Sequence, residues 1–175
     1  MGECAGNLGH ASSSGNEVAR ILVLGLGNPI LADDGVGWAV AREVHARAVR
    51  LVAREQIDLV EAAAAGLTIV SLLSGYDRVL VFDAILTGKE PPGTLYRLEP
   101  ADLVTTPRLA SPHDVHLAEA IALGRSLGQA MPEQVTVYAI EVADPYSFRE
   151  SLTPQVAQAI PGIVEKVLAA EFGAS

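Results

Sequence analysis

One cysteine, a shortage of cations and the lack of any long apolar run set the first limits on this 175-residue chain. A lone cysteine, Cys4, excludes an internal disulfide. It sits in a polar leader, which offers no scaffold for a catalytic thiol. Lys and Arg number 12 against 21 Asp and Glu, for a net charge of −9. Cation–phosphate contacts are the main source of nucleic-acid affinity, so this balance argues against a nucleic-acid partner. No apolar stretch approaches the roughly 20 residues that span a bilayer. Met1 to Asn16 is rich in Gly, Ser and Ala and lacks the basic and apolar regions of a secretory signal. The chain therefore reads as a soluble, cytoplasmic protein without a membrane partner, with a disordered leader over 1–18 and a single domain over 19–175. Half of its residues are hydrophobic, and a domain of roughly 150 residues can bury about 70% of its unfolded surface without staples.

What is present alternates between strand and helix patterns. Ile21-Leu-Val-Leu24, running into Gly25, reads as a buried parallel strand. Val36, Val40, Val44 and Ala48 recur at helical spacing, so a helix over about Gly35 to Val49 follows the loop. Ile57 to Val60 gives a second strand, Leu67 to Leu73 a short helix closed by Ser74-Gly75, and Arg78 to Phe82 a third strand. Lys89 to Gly93 is a Pro-Gly turn, and Thr94 to Leu98 an alternating edge strand. A helix over about Pro112 to Leu127, a strand over Gln134 to Ile140 and a last helix from Thr153-Pro154 complete the order. Thr as N-cap with Pro at the first helical position is a good start signal. The expected fold is a single three-layer α/β domain. Its mostly parallel sheet has about five strands, with helices on both faces and one strand antiparallel.

In such sheets ligands bind outside the carboxyl ends of the strands, and three polar spots fall near that edge. Asp33-Asp34 ends the loop after the first strand. Acids at a helix start serve the helix dipole and capping, but two exceed what one cap needs, and Gly35 beside them permits close backbone approach to a ligand. Asp83 ends the third strand, where an Asp often only starts a turn. Ser111-Pro-His-Asp114 is a capping box that accounts for Ser111, Pro112 and Asp114 but not for His113. Two carboxylates and an imidazole from three segments suit a divalent metal such as Ni, Zn, Mn or Fe, with positions left for water or substrate. His116 shares a helix face with His113 and reads as a surface residue, with an extra ligand or a partner of His113 as the alternative, and His45 reads as a surface residue. His10 lies in the leader.

The motifs resemble those of the hydrogenase maturation endopeptidases over about Ile21 to Leu168. That family has an apolar strand and a loop of type G-x-G-N-x-L-x-x-D-[DE]-G-x-G. Here the loop reads Gly25-Leu-Gly-Asn28, Pro29-Ile-Leu-Ala, then Asp33-Asp34-Gly-Val-Gly37. The family's acid and Gly-containing turn after strand two match Glu61 and Gly66. Its D-A after strand three matches Asp83-Ala84, its S-P-H matches Ser111-Pro-His113, and its L-[ST]-P matches Leu152-Thr-Pro154. The chain departs from the pattern at Ala62 to Ala65, where the family commonly has Gly and Thr, and at His116, where it often has Gly. Glu141-Val-Ala-Asp-Pro145 follows the pattern loosely and receives no role.

The resemblance implies a nickel-dependent endopeptidase that removes a C-terminal extension from the large-subunit precursor of a nickel-iron hydrogenase after nickel insertion. It implies that Asp34, Asp83 and His113 form the metal and catalytic site, with nickel supplied by the precursor. Asp33 is then left to cap the following helix. Two other readings stay open. Gly25-Leu-Gly-Asn-Pro29 also resembles the opening of bacterial peptidyl-tRNA hydrolases, yet the His-Asn pair which that family needs shortly afterwards is absent. A dinucleotide-binding or regulatory module fits Gly25-x-Gly27, but Ile30 stands where the fingerprint needs Gly.

Overall fold

The structure, a computed structural model, describes residues 18–52, 54–63, 67–100, 102 and 117–174. The expected leader over 1–18, apart from its last residue, lies outside the described residues, as does the stretch Pro112 to His116. Among the described residues there are five strands: β1 Arg20–Leu26, β2 Gln56–Ala62, β3 Arg78–Ile85, β4 Leu95–Leu98 and β5 Gln134–Glu141. The described helices include α1 Val36–Leu51, α2 Leu67–Leu73, α3 Leu117–Ser126 and α4 Pro154–Phe172, and a 3-10 turn at Ala32–Gly35 precedes α1.

The strands lie in the order β2-β1-β3-β5-β4. β1 pairs in parallel with β2 and β3, and β3 with β5, while β4 runs antiparallel along the outer side of β5. The result is the expected three-layer, mostly parallel sheet with one antiparallel edge. β1 alternates between two cores, as successive side chains of a strand must. Ile21 and Val23 pack with α1 and α4, whereas Leu22, Leu24 and Leu26 pack with α2 and α3. With both faces covered, β1 needs an unbroken apolar run, which explains why the run was readable.

α1 buries Val36, Val40, Val44 and Ala48, the stripe read from the sequence, and Ala41 joins them. α4 starts after Thr153 with Pro154 in its first turn and stops at Gly173, whose φ of 64° is the left-handed conformation that suits a C-terminal glycine. Its end is held to the sheet by Glu171, a nearly buried carboxylate that takes Arg78 and the Tyr138 hydroxyl.

β3 is longer than expected. It continues through Asp83 to Ile85 because β5 keeps pairing with it after β1 has stopped. Gly25 opposite Phe82 is the last β1–β3 pair, whereas Asp83 still faces Ala139 of β5. Asp83 is thus an interior strand residue just past the end of its other neighbour. That is the point where α1 and α2 diverge to opposite faces, the topological switch of this sheet.

Candidate active site at the carboxyl edge

The loop after β1 is built around glycines that let backbone meet backbone. Gly27 has φ of 126°, and a Cβ there would stand 2.0 Å from the Asp34 carbonyl oxygen. A Cβ on Gly37 would stand 2.3 Å from the Leu26 carbonyl oxygen and 2.4 Å from that of Phe82. The first turn of α1 therefore rests directly on the ends of β1 and β3. Gly35, expected to admit a ligand, faces Pro29 instead, at 3.1 Å from its Cα. The close approaches in this loop are made within the protein.

These contacts set the Asp34 carboxylate. The Asn28 amide donates to Asp34 Oδ2 at 2.6 Å, and the Asp34 amide donates to the Leu31 carbonyl at 2.8 Å. Asp34 is half-buried above the end of β1. Ala32, two residues earlier, has a φ of 34°, uncommon for a residue with a side chain. Its amide is held by the Arg149 carbonyl at 2.7 Å. Strain of this kind persists only where surrounding bonds enforce it. Asp83 is fully buried, and its Oδ1 accepts the Ala84 amide at 2.8 Å. The two acids thus stand at the carboxyl ends of neighbouring strands, each oriented by a backbone N–H.

His113, the third expected member, lies outside the described residues, as do His116, His10 and Cys4. Among the described residues no group of three His, Cys, Asp or Glu side chains is placed to hold a metal ion. Two carboxylates beside an imidazole form a donor set suited to nickel, so a fit depends on His113 as the third donor.

Asp33 does not cap the helix after it. Its carboxylate is fully buried and accepts four hydrogen bonds from the far end of the chain. They come from the amides of Ala143 at 3.1 Å and Asp144 at 3.0 Å, the Thr153 amide at 2.6 Å and the Thr153 hydroxyl at 2.9 Å. The α1 N-terminus has no side-chain cap at all. The physical reason is direction: the Asp34 carboxylate turns to the Asn28 amide within its own loop, whereas that of Asp33 faces Ala143, Asp144 and Thr153. Thr153, read as a helix cap, spends its hydroxyl on Asp33 instead.

Two further acids end strands at this edge, and both have structural partners. Glu61, opposite Gly25, takes the Arg42 guanidinium of α1, with Nη2 to Oε2 at 2.8 Å. The hydrogen bond to Glu61 raises the pKa of Arg42 above its ordinary value. Glu141, given no role from the sequence, is buried and accepts the Thr87 amide and hydroxyl, the Gly88 amide and the Tyr96 hydroxyl at 2.7–3.1 Å. It ties the loop after β3 to the edge strand. Its signal was available: an acid closing a buried strand, as at Asp83. His45 is half-buried rather than on the surface, with Nε2 3.2 Å from the Ile57 carbonyl. A cavity of about 670 Å³ lined by Arg97, Ile121, Arg125 and Thr136 lies at the amino end of β5. It is at the opposite edge of the sheet from Asp34 and Asp83.

The geometry has counterparts among known proteins. The hydrogenase maturation protease family profile matches residues 40–170. The hydrogenase 2 maturation protease of Escherichia coli is 32% identical over 155 residues, which cover 86% of this chain and 90% of that protein. The hydrogenase expression/formation protein HupD of Rhizobium leguminosarum is 31% identical, with 83% and 71% covered. The solved structure of the hydrogenase maturating endopeptidase HybD from E. coli superposes with a TM-score of 0.66 at 30% identity, covering 86% of this chain and 91% of that one.

Proposed function

Since the chain belongs to the hydrogenase maturation protease family, we propose that it removes the C-terminal extension of a nickel-iron hydrogenase large-subunit precursor after nickel insertion, reading nickel held by the precursor through Asp34, Asp83 and His113. The observation that carries this reading is the presence of Asp34 and Asp83 at adjacent strand ends of the sheet's switch point, each carboxylate oriented by a backbone amide. Nickel here belongs to the substrate. Bound between precursor and enzyme, it would polarise the scissile carbonyl or lower the pKa of a water. The chain's own part is to hold two carboxyl donors rigidly where the cation arrives, which removes their reorganisation from the reaction.

Single substitutions Asp34→Asn, Asp83→Asn and His113→Ala are expected to reduce processing of nickel-loaded precursor by at least about 100-fold, in the range for lost preorganised electrostatic groups. Gel analysis of the precursor and mature forms reads this directly. Nickel-free precursor and casein should stay intact with the unaltered protein. Normal processing by all three variants, or efficient casein digestion, would overturn the assignment.

A further inference from the structure

We propose that the turn from Asp144 to Glu150 is the substrate-docking surface, with Tyr146 and Phe148 seated against an apolar segment of the precursor polypeptide that is flanked by basic residues. This rests on the reading of the chain as a precursor-processing protease. Phe148 is 86% exposed and Tyr146 73%, the highest values among the exposed large hydrophobic side chains of the described residues. Ile30, 47% exposed, comes from the loop that carries Asp34, and Leu86, 45% exposed, from the loop after β3. All four lie at the carboxyl edge of the sheet.

The turn holds its aromatics in water by construction. Asp144 Oδ1 accepts the amides of Tyr146 at 3.2 Å and Ser147 at 3.0 Å. The Arg149 amide donates to the Ile30 carbonyl at 3.0 Å, the Ala32 amide donates back to the Arg149 carbonyl, and Leu31 bridges Phe148 and Arg149 as in a short sheet. These bonds fix the main chain of the turn, which presents Tyr146 and Phe148 outward. Rigid aromatics lose little entropy on binding and each can bury roughly 150–250 Å².

The location selects the partner. Strand-like bonds join this turn to Ile30 and Ala32, and the Asp33 carboxylate joins its base to the residue beside Asp34. The turn is thus an immediate neighbour of the loop to which a metal-bearing polypeptide would come. The net charge of −9 and the exposed Glu150 next to the aromatics favour basic residues on that polypeptide. Arg149 does not offset this fully, because its guanidinium is directed to the Ser151 carbonyl at 3.0 Å and to Asp144.

The test uses the full-length protein and purified nickel-loaded precursor, with binding and cleavage measured separately. Phe148→Ser and Tyr146→Ser should each weaken precursor binding by about tenfold, as truncation of interface aromatics does. KM should rise while single-turnover kcat is kept, and Phe148→Tyr, which keeps the ring, should restore affinity. Unchanged unfolding midpoints would show that the folds are intact. Unchanged affinity and KM in both serine variants, with normal processing by the unaltered protein, would overturn the docking surface and leave the protease reading standing. Failure of the unaltered protein to bind or cleave the precursor would overturn both. Loss of self-association in the variants without loss of precursor affinity would assign the surface to a second copy of the chain and overturn the proposal.

Discussion

Asp33 and Asp34 are chemically identical neighbours, and their surroundings give them opposite tasks. Asp33 is sealed and saturated by four donors from residues 143–153, whereas Asp34 is half-buried at the edge beside β3. Removing the Asp33 carboxylate leaves three part-buried backbone amides without that acceptor, at about 1–2 kcal/mol each. Asp33→Ala should therefore lower stability by about 3–5 kcal/mol, read from a urea unfolding midpoint. A loss below about 1 kcal/mol would mean that the carboxylate is not the clamp. Gly27 follows the same logic of proximity: its positive φ and 2.0 Å clearance to the Asp34 carbonyl leave no side chain that fits. From sequence, the pair at 33 and 34 was visible but its division of labour was not, because the partners of Asp33 lie more than a hundred residues away.

At the scale of elements, the apolar runs of β1, β3 and β5 and the stripe of α1 were legible because burial on both sheet faces, or on one helix face, leaves a periodic trace in the chain. The extension of β3 through Asp83 leaves no such trace; it depends on β5 remaining alongside after β1 stops. The strand-end acids Glu61, Asp83 and Glu141 look alike as letters. Only their neighbours separate an ion pair with Arg42, a residue at the candidate site and a bracket for the Thr87 turn. The Tyr146 turn was not readable either, because its order comes from Asp144. Hydrogen bonds from Ser147 and Tyr146, helped by Arg149, hold the Asp144 pKa below its ordinary value of 3.8. A depressed carboxylate stabilises the fold above its unfolded pKa and loses that contribution as pH falls through the folded one. The turn should thus stay ordered from neutral pH down through 3.8 and loosen only below it. The amide shifts of Tyr146 and Ser147 would report the midpoint by NMR, and a midpoint at or above 3.8 would contradict this account.

Across the whole molecule, three layers leave one edge of the parallel strands for chemistry, and no described helix is long and apolar enough to cross a membrane. The Asp33 clamp adds a constraint in time. Asp33 and Thr153 are 120 positions apart, so the Asp34 loop has no complete support until the start of the final helix is present. A site whose aim depends on Thr153 stays unfinished until that residue has been made, and a chain growing at about 5–20 residues per second needs several more seconds after the Asp34 loop to reach it. In pulse-labelled refolding, the amides of Asn28 and Asp34 should gain hydrogen-exchange protection together with that of Thr153. Protection of Asn28 well before Thr153 would show that the loop sets itself. If they rise together, the order of events places a delay between making this chain and arming it.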